Sequence, residues 1–252
     1  MKQIIRAQYR AALRKGVAEE QLEKAVSVCC AEMKKEKQEG RILTGGMFRY
    51  QNLLFLYMEY VIDASEGNAE IRKDPSDKAE KRKEQEVCTD RIVQDRMIQY
   101  PEKLFPQMAP LLHTWQELSG EMHWAYMYPV FWFDQPKDLE SWTRKKEPDE
   151  RCGRIAVLYP DKLFSYVCHH QAIVEEGLLV GDRYQMISLH ENLLFSYFET
   201  PRDRERVNIR RSEEESQEIR KWEAVDPAGH FKRFPEAPEE NFLVIETLIS
   251  VG

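Results

Sequence analysis

Asn52–Glu59 reads NLLFLYME and Asn192–Glu199 reads NLLFSYFE. Six of the eight positions agree at an offset of 140 residues, and a match at fixed offset is the mark of internal repetition. The flanks repeat the pattern. Upstream of each copy stands another strand-like run, within residues 42–49 and 183–189, and before each of these Gly40 and Gly181 close a helix-like stretch. Each half therefore reads strand, helix, strand, strand.

The second copy is the cleaner. RIAVLY (154–159) predicts a short apolar strand, and Pro160 suits the first turn of a helix. Leu163, Tyr166, Val167, His170, Ile173 and Val174 recur at the spacing of a buried helical stripe, with Gly181 as a left-handed cap. A turn at His190 and Glu191 joins two strands into a hairpin. Ser212 and Glu215 predict a capping box opening a second helix to about Val225, and residues 241–251 predict the last strand. This order, βαββαβ, is a ferredoxin-like unit with helices on one face of an antiparallel sheet. In the first copy the same order fits residues 3–13, 18–39, 42–49, 52–62, helices within 86–118, and 121–133. A charged insertion, 63–86, reads as a solvated loop or helix extension. The hydrophilic stretch 134–153 serves as the boundary between domains 1–142 and 143–252. Each unit leaves one sheet face bare, so the expected fold is α+β: tandem ferredoxin-like repeats that pack face to face as an intrachain dimeric α+β barrel.

Composition narrows the functions. The 252 residues carry 37 Lys and Arg against 44 Asp and Glu, a net charge of -7, which opposes non-specific nucleic-acid binding. No apolar run approaches the ~20 residues of a membrane span, and the opening stretch has no apolar core of a signal peptide, so a cytoplasmic protein is expected. The five cysteines show no CxxC spacing, which argues against a disulfide framework or structural zinc. No glycine-rich phosphate loop or HExxH motif signals a nucleotide or metal, and no cofactor is expected.

Tyr166 and His170 stand four apart, on the helix face turned to the sheet. With Tyr184 and Trp222 they are either amphipathic core residues, each holding one hydrogen bond, or the walls of a pocket between helices and sheet, suited to a sugar. The offset aligns Tyr166 with Val26 and His170 with Cys30, so the scaffold itself requires neither hydroxyl nor imidazole there. In the first half, His113, Trp115, His123 and Trp124 are candidates for a different pocket or for core packing. The charge runs 78–86 and 201–211 read as solvated surface.

The second half resembles the L-rhamnose mutarotases, dimeric α+β barrel proteins. The matching segments are RIAVLYPD, YVCHHQAI, GDRY, NLLFSYFE, Trp222 and FLVIETL, spanning about residues 153–251. The resemblance implies a mutarotase-like isomerase of a deoxy-hexose or related aldose. His170 would be the catalytic acid-base, and Tyr166, Tyr184 and Trp222 would bind the sugar. An imidazole suits that proton traffic at neutral pH. The sequence departs from the pattern at Lys221, which precedes Trp222 in place of a second Trp, and at Val174, which replaces a Trp. Two alternatives stand beside it: a non-catalytic sugar- or partner-binding barrel, and a haem-linked or cofactor-free oxidase with a helix-borne His. The expected partner is a small-molecule sugar, with no nucleic acid and no membrane; further oligomerisation stays open.

Overall fold

Side chains on a strand point alternately to its two faces, so each strand in this protein offers one face to the helices and one to its opposite number. The computed structural model describes residues 2–63, 100–117 and 120–252. The expected insertion beyond Asp63, and the part of the expected helices before Tyr100, lie outside the described residues. Eight strands matter: β1 (Lys2–Ala12), β2 (Ile42–Tyr50), β3 (Leu53–Asp63), β4 (Ala125–Trp132), β5 (Glu150–Leu158), β6 (Met186–His190), β7 (Leu193–Thr200) and β8 (Leu243–Val251). They pair in the order β7-β6-β4-β1-β3-β2-β8-β5, and β5 pairs again with β7. Every pairing is antiparallel. The ring is therefore closed, a barrel of eight strands among the described residues, and closure removes the unpaired edges of an open sheet.

Each half contributes four adjacent strands in the order fourth, first, third, second: β4-β1-β3-β2 and β8-β5-β7-β6. The seams are β2 with β8 and β4 with β6. The two octapeptides lie on β3 and β7, and each begins after a residue of positive φ, Gln51 and Glu191, in the hairpin turn. Their odd-numbered residues face the interior. Phe55 stacks on Phe195 at 5.0 Å, and Tyr57 on Tyr197 at 3.6 Å with 4° between ring planes. Phe48, Ile155 and Tyr184 complete this buried core.

Helices cover the outside on two sides. In α1 (Glu19–Gln38), Leu22, Ala25, Cys29 and Met33 are buried at helical spacing against Tyr9, Leu56 and Met58. Its ends suit the helix dipole, with Glu19 and Glu20 in the first turn and Lys35 and Lys37 in the last. A short turn of helix, α2 (Leu139–Trp142), precedes β5. On the other side α3 (Leu163–Glu176) buries Tyr166, His170, Ile173 and Val174, and α4 (Gln217–Glu223) packs beside it. No helix among the described residues is long and apolar enough to cross a membrane.

Two expectations are corrected. Gly177, at φ 69°, caps α3; Gly181 instead gives room to Phe133, whose ring fills the space that a Cβ would need. Ser216 caps α4 by accepting from the Ile219 amide, whereas the Ser212 hydroxyl accepts from the Glu214 amide in the preceding turn. In the hydrophilic stretch before β5, Trp142 and Arg144 reach into the buried interior.

Gly153 faces that interior, where a Cβ would sit 2.7 Å from the Phe48 ring and 2.9 Å from Phe195. Gly153→Ala is expected to cost about 1–3 kcal/mol by overpacking, read as a lower urea midpoint at unchanged slope.

Candidate functional site

At one end of the barrel the Tyr-x-Glu endings of the two octapeptides converge. Tyr57 Oη donates to Glu59 Oε1 at 2.6 Å, and Tyr197 Oη to Glu199 Oε1 at 2.8 Å. Arg144 lies between the carboxylates, its Nη2 donating to Glu59 at 2.9 Å and to Glu199 at 2.7 Å. Trp142 Nε1 adds a bond to Glu59 at 3.0 Å. The Arg144 guanidinium also covers the Tyr184 ring at 4.0 Å, and Arg204 reaches Glu199 from the rim. Burial by itself would raise the Glu59 pKa, but the Arg144 charge and hydrogen bonds outweigh it and hold the carboxyl at about 2.

Beside this network the wall opens. β1 and β4 pair only from Gln8 with Met127 to Arg10 with Ala125. Beyond them stands Pro129, which has no N–H to donate, and a bulge follows it in the β4–β6 pairing. The strands part over a cavity of about 260 Å³ lined by Ile4, Arg6, Trp132, Gln135, Pro136 and Met186, among others. Arg6 donates from Nε to Tyr57 Oη at 3.0 Å and from its two other nitrogens to the carbonyls of Asp134 and Tyr184. Three of its five N–H groups are thereby used. It has no carboxylate ion pair among the described residues. The sequence held a signal for this site: Ile4, Arg6, Gln8 and Arg10 alternate with apolar residues along β1, placing polar groups on a face that has to be buried.

The sequence-derived site is only partly assembled. Tyr166, His170 and Trp222 do meet, outside the barrel and under α3 and α4. Tyr166 stacks on His170 at 3.8 Å, and Trp222 meets the imidazole edge-on at 4.9 Å. Phe131 closes another side at 5.5 Å. Tyr184 is a correction: it lies in the turn before β6 and inside the barrel, on the opposite face of the sheet. His169 is half-buried beside Trp222. In the first half the four candidates disperse. His113 is exposed, Trp115 lies under Arg10, His123 bonds Glu102 and Trp124 is core beside Phe105.

No family model matches this chain, and no curated protein does. Solved structures give distant likenesses. A Fusobacterium nucleatum protein provisionally described as a monooxygenase aligns over 98% of this chain and 94% of its own, at 9% identity and a TM-score of 0.39. One provisionally described as a chlorite dismutase covers 97% and 94%, at 9% and 0.34. A haem-binding protein of Thermus thermophilus covers 98% and 93%, at 13% and 0.29. At such scores none of them carries an argument about chemistry here.

The imidazole of His170 is neutral at physiological pH. Burial drives its pKa down to about 4, against the raising effect of the bond between Nδ1 and the Tyr166 carbonyl at 2.9 Å. Unfolding releases a histidine of pKa near ~6.5, so the unfolded state gains a proton first as pH falls. Stability is thus lost between about pH 6.5 and 4, by about 3 kcal/mol in all for this group. Denaturant midpoints measured across that range should fall more steeply in the parent than in His170→Gln.

Proposed function

We propose that this protein binds a small anionic sugar, without transforming it, in the cleft beside Arg6. The observation that carries the reading is the Arg6 guanidinium: it lines the cleft and, among the described residues, keeps two N–H groups unused and has no carboxylate partner. A ligand carboxylate would complete it, in the bidentate manner that arginine favours. Trp132, half-buried on the cleft wall, offers a ring face to the C–H side of a pyranose, and Gln135 offers an amide to its hydroxyls. The cavity is small beside the ~300–1,000 Å³ of drug-sized sites, which favours a monosaccharide.

The mutarotase reading finds less support. It asks His170 to donate a proton near neutral pH from an open pocket, whereas the ring is neutral, 9% exposed and walled by Tyr166, Trp222 and Phe131. The same walls oppose a haem, since a ligating imidazole needs a planar macrocycle beside it and aromatic rings already fill that space. We read the shared strand order of the halves as tandem ferredoxin-like repeats, 1–142 and 143–252, forming a pseudo-dimer within one chain.

Calorimetric titration of the full chain with D-galacturonate and with D-galactose tests the reading. The acid sugar is expected to bind at least about tenfold tighter, and Trp132→Ala, which lies outside the ion network, is expected to weaken it about tenfold. Equal affinity for the two sugars, or parental affinity in Trp132→Ala, would overturn it.

A further inference from the structure

Near the N-terminal end of α3 a second polar cluster is left without a role. Ser165 is half-buried, and its Oγ lies 3.0 Å from Nε2 of His230. The other ring nitrogen, Nδ1, lies 3.0 Å from the backbone carbonyl of Asp226. A carbonyl only accepts, so the imidazole proton is on Nδ1 and the Nε2 lone pair faces the serine hydroxyl. This is the order of parts in an activated nucleophile: hydroxyl, base, and a group that fixes the tautomer of the base.

The base is held on several sides. Asp226 has φ 53°, an uncommon conformation for a residue with a side chain, and its carbonyl also accepts from the Gly229 amide at 3.1 Å. The His230 carbonyl accepts from the Tyr159 amide at 3.0 Å, and Trp222 packs edge-on to the imidazole at 4.7 Å. Ser165 stands in the first turn of a 14-residue helix that follows directly on a 3-10 turn at 160–162, and the helix dipole at this end favours a developing oxyanion. The surroundings are apolar yet open to water. Phe164, next to Ser165, is 79% exposed; Tyr159 and Val225, flanking the base, are 43% and 41% exposed.

We infer that Ser165 and His230 form a nucleophile and base that cleave esters with an apolar acyl or aryl group. As Oγ bonds to the ester carbonyl carbon, its proton passes to His230 Nε2. Collapse of the tetrahedral adduct breaks the bond to the alcohol or phenol oxygen, which takes that proton away. Water then attacks the acyl-serine, giving its proton to Nε2, and the acid leaves as Oγ recovers the proton. No oxidant, metal or cofactor enters the balance. The site lies outside the barrel and shares no residue with the Arg6 cleft, so it stands or falls apart from sugar binding.

The test is incubation of the full chain with p-nitrophenyl butyrate, following p-nitrophenolate release and the intact mass. One butyryl group per chain is expected, on the peptide that contains Ser165. Ser165→Ala should abolish the adduct, Ser165→Cys should restore it, and His230→Gln should slow its formation about 100-fold. Because His230 is buried, circular dichroism melts establish that its variant folds, and the Ser165 pair decides the matter if it does not. Absence of an adduct on the folded parent, or an adduct undiminished in Ser165→Ala, would sink the assignment.

Discussion

The interior of this barrel depends on one guanidinium shared by two carboxylates. Glu59 and Glu199 are 0% and 1% exposed, and each closes an octapeptide that the opposite half mirrors. An unpaired buried carboxylate costs several kcal/mol even after relaxation, and two of them near each other repel. Arg144 removes both costs at once, and the tyrosines and Trp142 satisfy lone pairs that it leaves. The tyrosine stack, with ring planes 4° apart, is fixed by the same bonds, because each hydroxyl is tied to the carboxylate two residues along its own strand. Packing and charge pairing therefore specify one another: the halves cannot shift in register without separating a carboxylate from the cation.

This dependence explains which parts of the molecule were legible in the sequence. Period-2 alternation along 53–59 and 193–199 reveals strands, and the helical stripe through Leu163, Tyr166 and His170 reveals a buried face. These are local signals, written within one element. The role of Arg144 is not local. In SWTRKKEP it stands among charges and beside a proline, as in any solvated linker, and only the carboxylates waiting 85 and 55 residues away make it a core residue. The cap positions failed for a related reason. Ser212 and Ser216 are equally good caps by type, and what separates them is the path of the chain, which Asn208 folds into a turn by bonding the Ser212 backbone before the helix begins.

The candidate site divides along the same line. Tyr166 and His170 share a helix, so spacing alone predicts that they meet. Trp222 joins them because α4 packs on α3. Tyr184 is expected in the same pocket, yet a residue in a strand-entry turn can face either side of the sheet. Here its carbonyl accepts from Arg6 and its ring lies under Arg144, both inside. Arg6 itself was visible only as an oddity, a charge in register with Ile4 and Gln8. Its meaning required knowing that this face closes into a barrel.

The two faces of the second-half sheet thus hold different chemistry although one strand order builds both. Inside, arginine and glutamate stay charged because each has partners at hydrogen-bond distance. Outside, under α3, the His170 imidazole packs against aromatic rings and bonds one carbonyl, and burial keeps it neutral, a flat ring in a stack. His230 on the same side, also buried, keeps a hydroxyl at one nitrogen and a carbonyl at the other. Identical side chains therefore separate into a packing element and a base according to what faces the second nitrogen. For a histidine in this layer that nitrogen, more than burial or helix position, discriminates function from filling.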